Sequence, residues 1–404
     1  MSILQQTSET STDSRPGHLR LPWLPLLVLS GAAFATVTTE LLPASLLLEL
    51  GAGLHVSESA VGLLVSAWAL SLAASSVLLV RLTARIPRRV LLPGVLLLFA
   101  VATLGTALAP GYQVALGSRV VAAAAHGVFW ALLVPATAAL VPPEAIGRAI
   151  SVVLAGPALA GVAGIPLGAA IGAVVGWRTS FGLLAVVLVL AAVAVHRLRL
   201  PDAPPAGGAA GARGGSWTGV LIVSLAGGLV LVGHFAVYTY IAPLLQQSGG
   251  YGATARAGLL LVFGLAGLGG IVASGPLSDR APRRALTWVT VAFTAAVALL
   301  LLAGTNLVAA VLTLAFWGFL IGVLPPTFQT RLLRLTSPGN QALAGAIGVT
   351  VLNLGIAAGA ALGGLTVSLS GPTALPGQAA AVIAVAAVVL LVAERPRAER
   401  NGRA

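Results

Sequence analysis

The stretch GPLSDRAPRR occupies Gly275–Arg284, and a looser copy, VRLTARIPRR, occupies Val80–Arg89. Superimposed, they pair Arg85 with Arg280, Pro87 with Pro282 and Arg88-Arg89 with Arg283-Arg284, an offset of 195. Other landmarks keep nearly the same register. Gly62-Leu63-Leu64 answers to Gly258-Leu259-Leu260, and ELLP ending at Pro43 answers to YIAP ending at Pro243. A chain that repeats itself at one spacing reads as a duplicated unit.

The composition says what surrounds that unit. The 404 residues are 58% hydrophobic and 8% charged, with a mean hydropathy of +1.02. A soluble domain carries roughly 25% charged residues, so only a bilayer fits as solvent. There is no Cys, which excludes disulfides. All 22 basic residues are Arg, and the net charge is +12.

Between the arginines lie twelve apolar runs: 22–47, 58–80, 90–109, 113–141, 149–175, 179–196, 218–246, 256–278, 285–304, 307–330, 342–368 and 374–393. Each is close to the ~20 residues that cross a bilayer as a helix. With the N-terminus inside, 19 arginines fall on cytoplasmic segments, only Arg178 and Arg256 on the other side, and Arg119 within a span. That bias is the positive-inside pattern. The basicity therefore describes topology, and no nucleic-acid partner is expected. Arg15, Arg20 and Ala33-Phe34-Ala35 look like a signal peptide with its cleavage site. The apolar run continues to Leu48, however, so it is read as the first span.

The stretch RLRLPDAPPAGGAAGARGGSW, 197–217, reads as a flexible linker with six spans on either side. The expected fold is all-α: twelve transmembrane helices in two six-helix bundles, related by a pseudo-two-fold along the membrane normal. The bundles are 22–196 and 218–393, with cytoplasmic tails at 1–21 and 394–404.

Gly275, Asp279, Arg280, Arg283 and Arg284 resemble the loop signature of the major facilitator superfamily. TTELLP (38–43), RVVAAAAHGVFWALLVPA (119–136) and GPALAGVAGIPLG (156–168) resemble its sugar-efflux and chloramphenicol-resistance exporters. The resemblance implies proton-coupled efflux of a small organic solute, such as a sugar or drug, by alternating access across the plasma (inner) membrane. It implies a monomer without cofactor or metal, whose partners are its cargo, protons and lipid. It also implies that Asp279 is a conformational latch, held by a helix N-terminus and by arginines, that does not touch cargo. The first copy has Val80 for the Gly and Ala84 for the Asp, so its loop is a topology anchor without the latch. Proton-coupled uptake or facilitated diffusion is the alternative, and GPALAG leans against it. An intramembrane enzyme is remote, because there is no Cys or His-Glu-x-x-His and the five His are scattered.

Ionisable groups at membrane depth cost about 2.5–3.5 kcal/mol, so each marks a functional candidate. Glu40 is the only carboxylate within a span. It is read as a proton carrier, the alternative being an acid that snorkels at the outer boundary. In the fourth span Arg119, His126 and Trp130 share one helix face. That stripe suits a cavity wall, and Arg119 and His126 are assigned to proton coupling with Glu40. The alternatives are that Arg119 pairs structurally with a carbonyl or a neighbouring helix, and that His126 is a hydrogen-bonded core residue. Trp130, His234, Tyr238 and Asn353 are assigned to cargo, with Asn353 equally readable as interhelical glue. Gly156, Pro157 and Gly161, with Gly355, Gly359 and Gly363, suit close helix approach. The first three carry the resemblance to the exporter motif.

Overall fold

The computed structural model describes residues 21–198, 200–201, 216–302, 304 and 306–394. The body of the linker, residues 1–20 and 395–404 of the two tails, and the arginines they carry lie outside the described residues.

Among the described residues twelve long helices follow one another. They are α1 (Trp23–Ser45), α2 (Glu58–Thr83), α3 (Arg88–Ala107), α4 (Tyr112–Ala138), then α5, built from Ile146–Leu159 and Ile165–Val175, and α6 (Trp177–Arg197). The second set is α7 (Trp217–Tyr238), α8 (Ala253–Arg280), α9 (Ala285–Leu299), α10 (Leu307–Arg334), α11 (Gln341–Ser370) and α12 (Leu375–Glu394). Eleven spans are long and apolar enough to cross a membrane, and α2 contributes the apolar Ala67–Thr83. No strand occurs among the described residues. Ala33-Phe34-Ala35 lies inside α1, where Ala33 and Ala35 are fully buried.

Short helices follow α1 and α7, and the second of them interrupts the run 218–246. The first helix ends at Ser45 and Leu47–Leu54 forms a separate short helix; the seventh ends at Tyr238 before the short helix Ile241–Gly249. Pro43 lies inside α1 two residues before its end, where it removes one backbone donor and crowds the carbonyl four residues back; Pro243 lies in the first turn of the short helix that follows α7. Pro157 precedes another interruption, the π-helical turn Ala160–Gly164 in α5.

The duplication is written in the backbone. Gly176 turns α5 into α6 at φ 84°, ψ 155°, and Gly371 turns α11 toward α12 at φ 81°, ψ 166°. A side chain is disfavoured at such positive φ, which is why glycine stands at both. Ala145 opens α5 at φ −112°, ψ 2°, and Asn340 opens α11 at φ −105°, ψ −3°. Both pairs are again 195 apart.

Packing repeats in the same way. Along α5, Gly156, Gly164, Gly168 and Gly172 lie against Ser30, Thr38, Leu42 and Leu46 of α1. Along α11, a Cβ added at Gly355, Gly359 or Gly363 would stand 2.5 Å from the carbonyl oxygens of Gly228, Val232 and Ala236 of α7. Between the halves, α8 packs on α5 and α2 on α11. Adding six to each first-half helix turns one set of pairs into the other. Two six-helix bundles related by a pseudo-two-fold produce that pattern.

The halves meet toward one end, where the repeated loops lie. There the Ile146–Leu159 part of α5 carries the packing on α8, while Ile165–Val175 packs on α1 and α6. Val80, Ala131 and Ala346 form an apolar contact across α2, α4 and α11, and Thr350 Oγ1 donates to the Ala73 carbonyl at 3.4 Å.

Candidate functional site

Glu40 sits on α1 just before the Pro43 break, facing α4. Arg119 and His126 of α4 are buried, at 1% and 0% exposure. Arg119 Nη1 donates to the Thr39 carbonyl and Nη2 to the Glu40 carbonyl, each at 2.8 Å. Its guanidinium carbon lies 4.2 Å from the centre of the Trp68 ring, from α2, a cation–π contact with the ring face. Two carbonyl dipoles and an indole face thus replace water around the charge.

His126 lies in an aromatic cage. Phe99 of α3 stacks on it at 5.5 Å and 23°, Trp68 meets it edge-on at 5.5 Å, and Phe129 and Trp130 close the sides at 6.4 and 6.0 Å. The Trp130 indole N–H donates to His126 Nε2. A neutral imidazole accepting at Nε2 carries its proton on Nδ1. Nδ1 faces Glu40 Oε2 at 3.7 Å, too far for a hydrogen bond and near enough for one intervening oxygen. The Glu40 side chain is 27% exposed while that of His126 is fully enclosed. The carboxyl therefore stands between open space and a buried N–H. Around it, Arg119 Nε and His126 Nδ1 are buried without a hydrogen-bond partner among the described residues, and the Trp68 side chain interacts with the Glu40 carboxyl. The two unpartnered donors are available to a polar guest.

The second half builds another histidine cage. His234 of α7 stacks on Tyr238 at 5.3 Å and Phe263 of α8 at 6.3 Å, with Phe235, Phe293 and Trp317 edge-on at 4.9, 5.8 and 5.2 Å. His234 Nδ1 and Trp317 Nε1 are buried without partners, and no carboxylate pairs with His234 among the described residues. Tyr238 is 38% exposed. Asn353 stands apart, its amide donating within α11 to the Val349 carbonyl at 2.9 Å. No group of three His, Cys, Asp or Glu that could hold a metal occurs among the described residues.

At the loop end, Asp279 of α8 reaches the N-terminus of α5. Its carboxylate accepts from Gly147 N at 2.7 Å, Arg148 N at 3.2 Å and Arg148 Nε at 3.1 Å, with Arg334 Nη2 at 3.7 Å. A carboxylate on the first free N–H groups of a helix is favoured by hydrogen bonding and by the helix dipole. Gly275 and Gly147 permit the approach: a Cβ on Gly147 would stand 2.8 Å from Asp279 Oδ1 and the Gly275 carbonyl. Arg334 Nη2 also donates to Pro143 O at 3.1 Å. Arg280, Arg283 and Arg284 end α8 or follow it. Of the exporter-motif residues, Gly156 lies against the Ser30 carbonyl, Pro157 is interior to α5, and Gly161 lies in the π-turn beside open space.

The structure brings Glu40, Arg119, His126 and Trp130 into one cluster and His234 with Tyr238 into another. Sequence reasoning passed over Phe99 and the Thr39 carbonyl. It counted Arg148 and Arg334 only as topology charges, and Trp68 lay within the second apolar run. The one signal for Arg148 was its place just before an apolar run.

Comparison with known proteins gives one answer. The family model described as Major Facilitator Superfamily matches residues 27–351. A chloramphenicol efflux pump of Mycobacterium tuberculosis is 36% identical over 374 residues, covering 89% of this chain and 89% of that protein. A chloramphenicol resistance protein of Streptomyces lividans is 35% identical over 355 residues, covering 83% of this chain and 87% of its own. Among solved structures, the human organic anion transporter MFSD10 (TETRAN) superimposes with a TM-score of 0.73 at 17% identity, covering 91% of this chain and 98% of that one. FucP, a transporter solved in the outward conformation, gives 0.71 at 17% identity, with coverage of 91% and 98%.

Proposed function

The chain belongs to the Major Facilitator Superfamily and is a multi-pass membrane transporter rather than an enzyme, and from that premise we propose that it exports a small drug of the chloramphenicol kind in exchange for protons. The cargo class rests on the two relatives whose names carry chloramphenicol efflux and resistance.

One observation carries the coupling. Among the described residues Glu40 is the only carboxylate more than a turn inside a spanning helix, and it stands 3.7 Å from a buried imidazole nitrogen with Arg119 fixed beside it. A carboxyl at depth strongly prefers to be neutral when dry and charged when wet or paired. It therefore takes up or gives up its proton according to the side that opens. Cargo polar groups compete for the same donors, Arg119 Nε and His126 Nδ1, with Trp130 at the rim. The second cage, His234 and Tyr238, supplies an uncharged aromatic wall opposite, and Asn353 of α11 belongs to the cargo path.

The moving units are residues 22–196 and 218–393, joined by 197–217, with both termini cytoplasmic and the membrane that of the cell surface. With the arginine-rich loop end in the cytoplasm, this arrangement is closed inward and open outward. Asp279, with Gly275, Arg280, Arg283 and Arg284 around it, latches that closure. Gly156, Pro157 and Gly161 give α5 the bend along which it rocks.

The test is uptake of chloramphenicol into inverted vesicles with and without an imposed pH gradient. Glu40→Gln is expected to abolish gradient-driven accumulation and to keep downhill exchange. Full gradient-driven accumulation by Glu40→Gln would end the proposal.

A further inference from the structure

Arg119 is a buried guanidinium whose closest hydrogen-bond partners are carbonyls inside a helix, Thr39 and Glu40 of α1. In a regular helix those carbonyls are already used. The carbonyl of Thr39 accepts the N–H of residue 43. Here residue 43 is Pro43, inside α1. It has no N–H, and its ring crowds the carbonyl four residues back.

We infer that Pro43 is a positioning residue of the Glu40 site. By withholding its N–H it opens the Thr39 carbonyl, and Arg119 Nη1 takes the vacant donor's place, tying α4 to the break in α1. Nη2 then fixes the next carbonyl, that of Glu40 itself, so the guanidinium sets the backbone from which the carboxyl projects. The inference rests on the reading of Glu40 as the proton carrier. It assigns Arg119 a mechanical role, exercised through the backbone, beside its charge.

Burial makes the tie matter. Thr39 is 1% exposed and Arg119 is 1% exposed, so neither partner has water to fall back on. The face of Trp68, 4.2 Å from the guanidinium carbon, holds the fork in plane behind the two carbonyls. The other half supplies a control. There α7 stops at Tyr238, Pro243 falls in the first turn of the next short helix rather than inside α7, and no guanidinium donates to a carbonyl at that place among the described residues.

The test compares four full-length proteins: the parent, Pro43→Ala, Arg119→Ala and the double variant. Alanine at 43 supplies the N–H that the Thr39 carbonyl lacks. In the parent this competes with Arg119, and Pro43→Ala should leave the melting temperature unchanged or lower it. In the Arg119→Ala background the same change fills an orphaned acceptor, and the melting temperature should rise by about 2 °C or more. An effect of the same sign and size in both backgrounds would overturn the inference.

A backbone ester separates the missing N–H from the ring. Pro43→lactic acid has no N–H at 43 and no ring. Gradient-driven transport should fall roughly tenfold in Pro43→Ala and recover to within about twofold of the parent in the ester. An ester no better than Pro43→Ala would mean that ring shape matters, not the withheld donor, and the inference would fall. The melting comparison involves no proton. It decides the role of Pro43 even if Glu40→Gln shows that the proton travels elsewhere.

Discussion

Each half of the molecule buries one histidine among aromatic rings, and the two histidines keep different company. His126 is ringed by Trp68, Phe99, Phe129 and Trp130, drawn from α2, α3 and α4. His234 is ringed by Phe263, Phe293 and Trp317, from α8, α9 and α10, with Phe235 and Tyr238 of its own helix. Six added to each helix number maps the first three onto the second, although the histidines themselves stand on α4 and α7, which are not a repeat pair. The scaffold was duplicated; the charges were not. Glu40 and Arg119 stand beside His126, and no carboxylate pairs with His234 among the described residues. The difference teaches that the cages are scaffold and the ion chemistry is an addition to one of them.

The largest effect expected from breaking that asymmetry is at Arg119. Arg119→Ala orphans the buried Thr39 carbonyl, at about 1–3 kcal/mol, takes the second donor from the Glu40 carbonyl, and frees the end of α1. Gradient-driven transport should drop to background, together with a clear loss of thermal stability. Arg119→Lys should rescue part of both, because an ammonium reaches one carbonyl but lacks the planar fork that holds two. Vesicle transport and melting curves on the same preparations check this. An Arg119→Ala protein that still accumulates cargo would remove the distinction between the halves.

Next comes the seam. Asp279→Asn keeps size and shape and removes the charge that gathers Gly147 N, Arg148 and Arg334. Hydrogen bonds to a charged group are worth about 1.5–3 kcal/mol and to a neutral one about 1 kcal/mol, so the closed loop end loses about 1–2 kcal/mol. Transport should slow by roughly tenfold, with cargo affinity within a few-fold by equilibrium titration. Collapse of affinity would turn Asp279 from latch into cargo contact.

How much of this was legible beforehand follows from what duplication preserves. The loop copies and the apolar runs gave the spans and the two bundles because hydropathy is local and periodic. Glu40, Arg119 and His126 stood out because charge at depth is rare. Their partners were hidden. Whether Arg119 met a carboxylate or a carbonyl depended on how α1 breaks at Pro43, and a broken helix looks the same as a span in a hydropathy reading. Arg148 and Arg334 sit among many loop arginines, and only the fold puts them on Asp279. The turns at Gly176 and Gly371 share a register but almost no neighbouring sequence.

The histidines themselves offer a finer contrast. His126→Phe should uncouple, since Glu40 loses the only ionisable ring facing it. His234→Phe should keep the ratio of gradient-driven to downhill transport, because no carboxylate depends on that ring. Cargo affinity should fall by at most about tenfold, roughly 1.4 kcal/mol, the worth of one lost polar contact in an aromatic wall. Measuring both variants in one vesicle assay sharpens the comparison. An uncoupled His234→Phe would mean that the second cage also carries protons.

The smallest effect is expected where the first half lacks what the second has. Ala84 stands at the position of Asp279, less 195, and is exposed at the end of α2. The helix it would latch is present: α11 starts after Asn340 with the same backbone turn that starts α5 after Ala145, and no side chain caps it. An aspartate at 84 would therefore meet free N–H groups. It would meet neither arginine, because the counterparts of Arg148 and Arg334 in this register are Leu343 and Ala139. A helix cap alone is worth typically ~1 kcal/mol when well placed and buried, and less at an exposed site. Ala84→Asp should therefore slow transport by no more than about threefold. Adding Leu343→Arg supplies the missing fork, and the double variant should slow transport several-fold further as a second latch forms. Equal rates for the single and double variants would show that the contacts already there, Val80, Ala131 and Ala346 with the Thr350–Ala73 hydrogen bond and Arg88 on the Pro338 carbonyl, hold the seam without a latch, and that the acid was lost from a loop that had no further use for it.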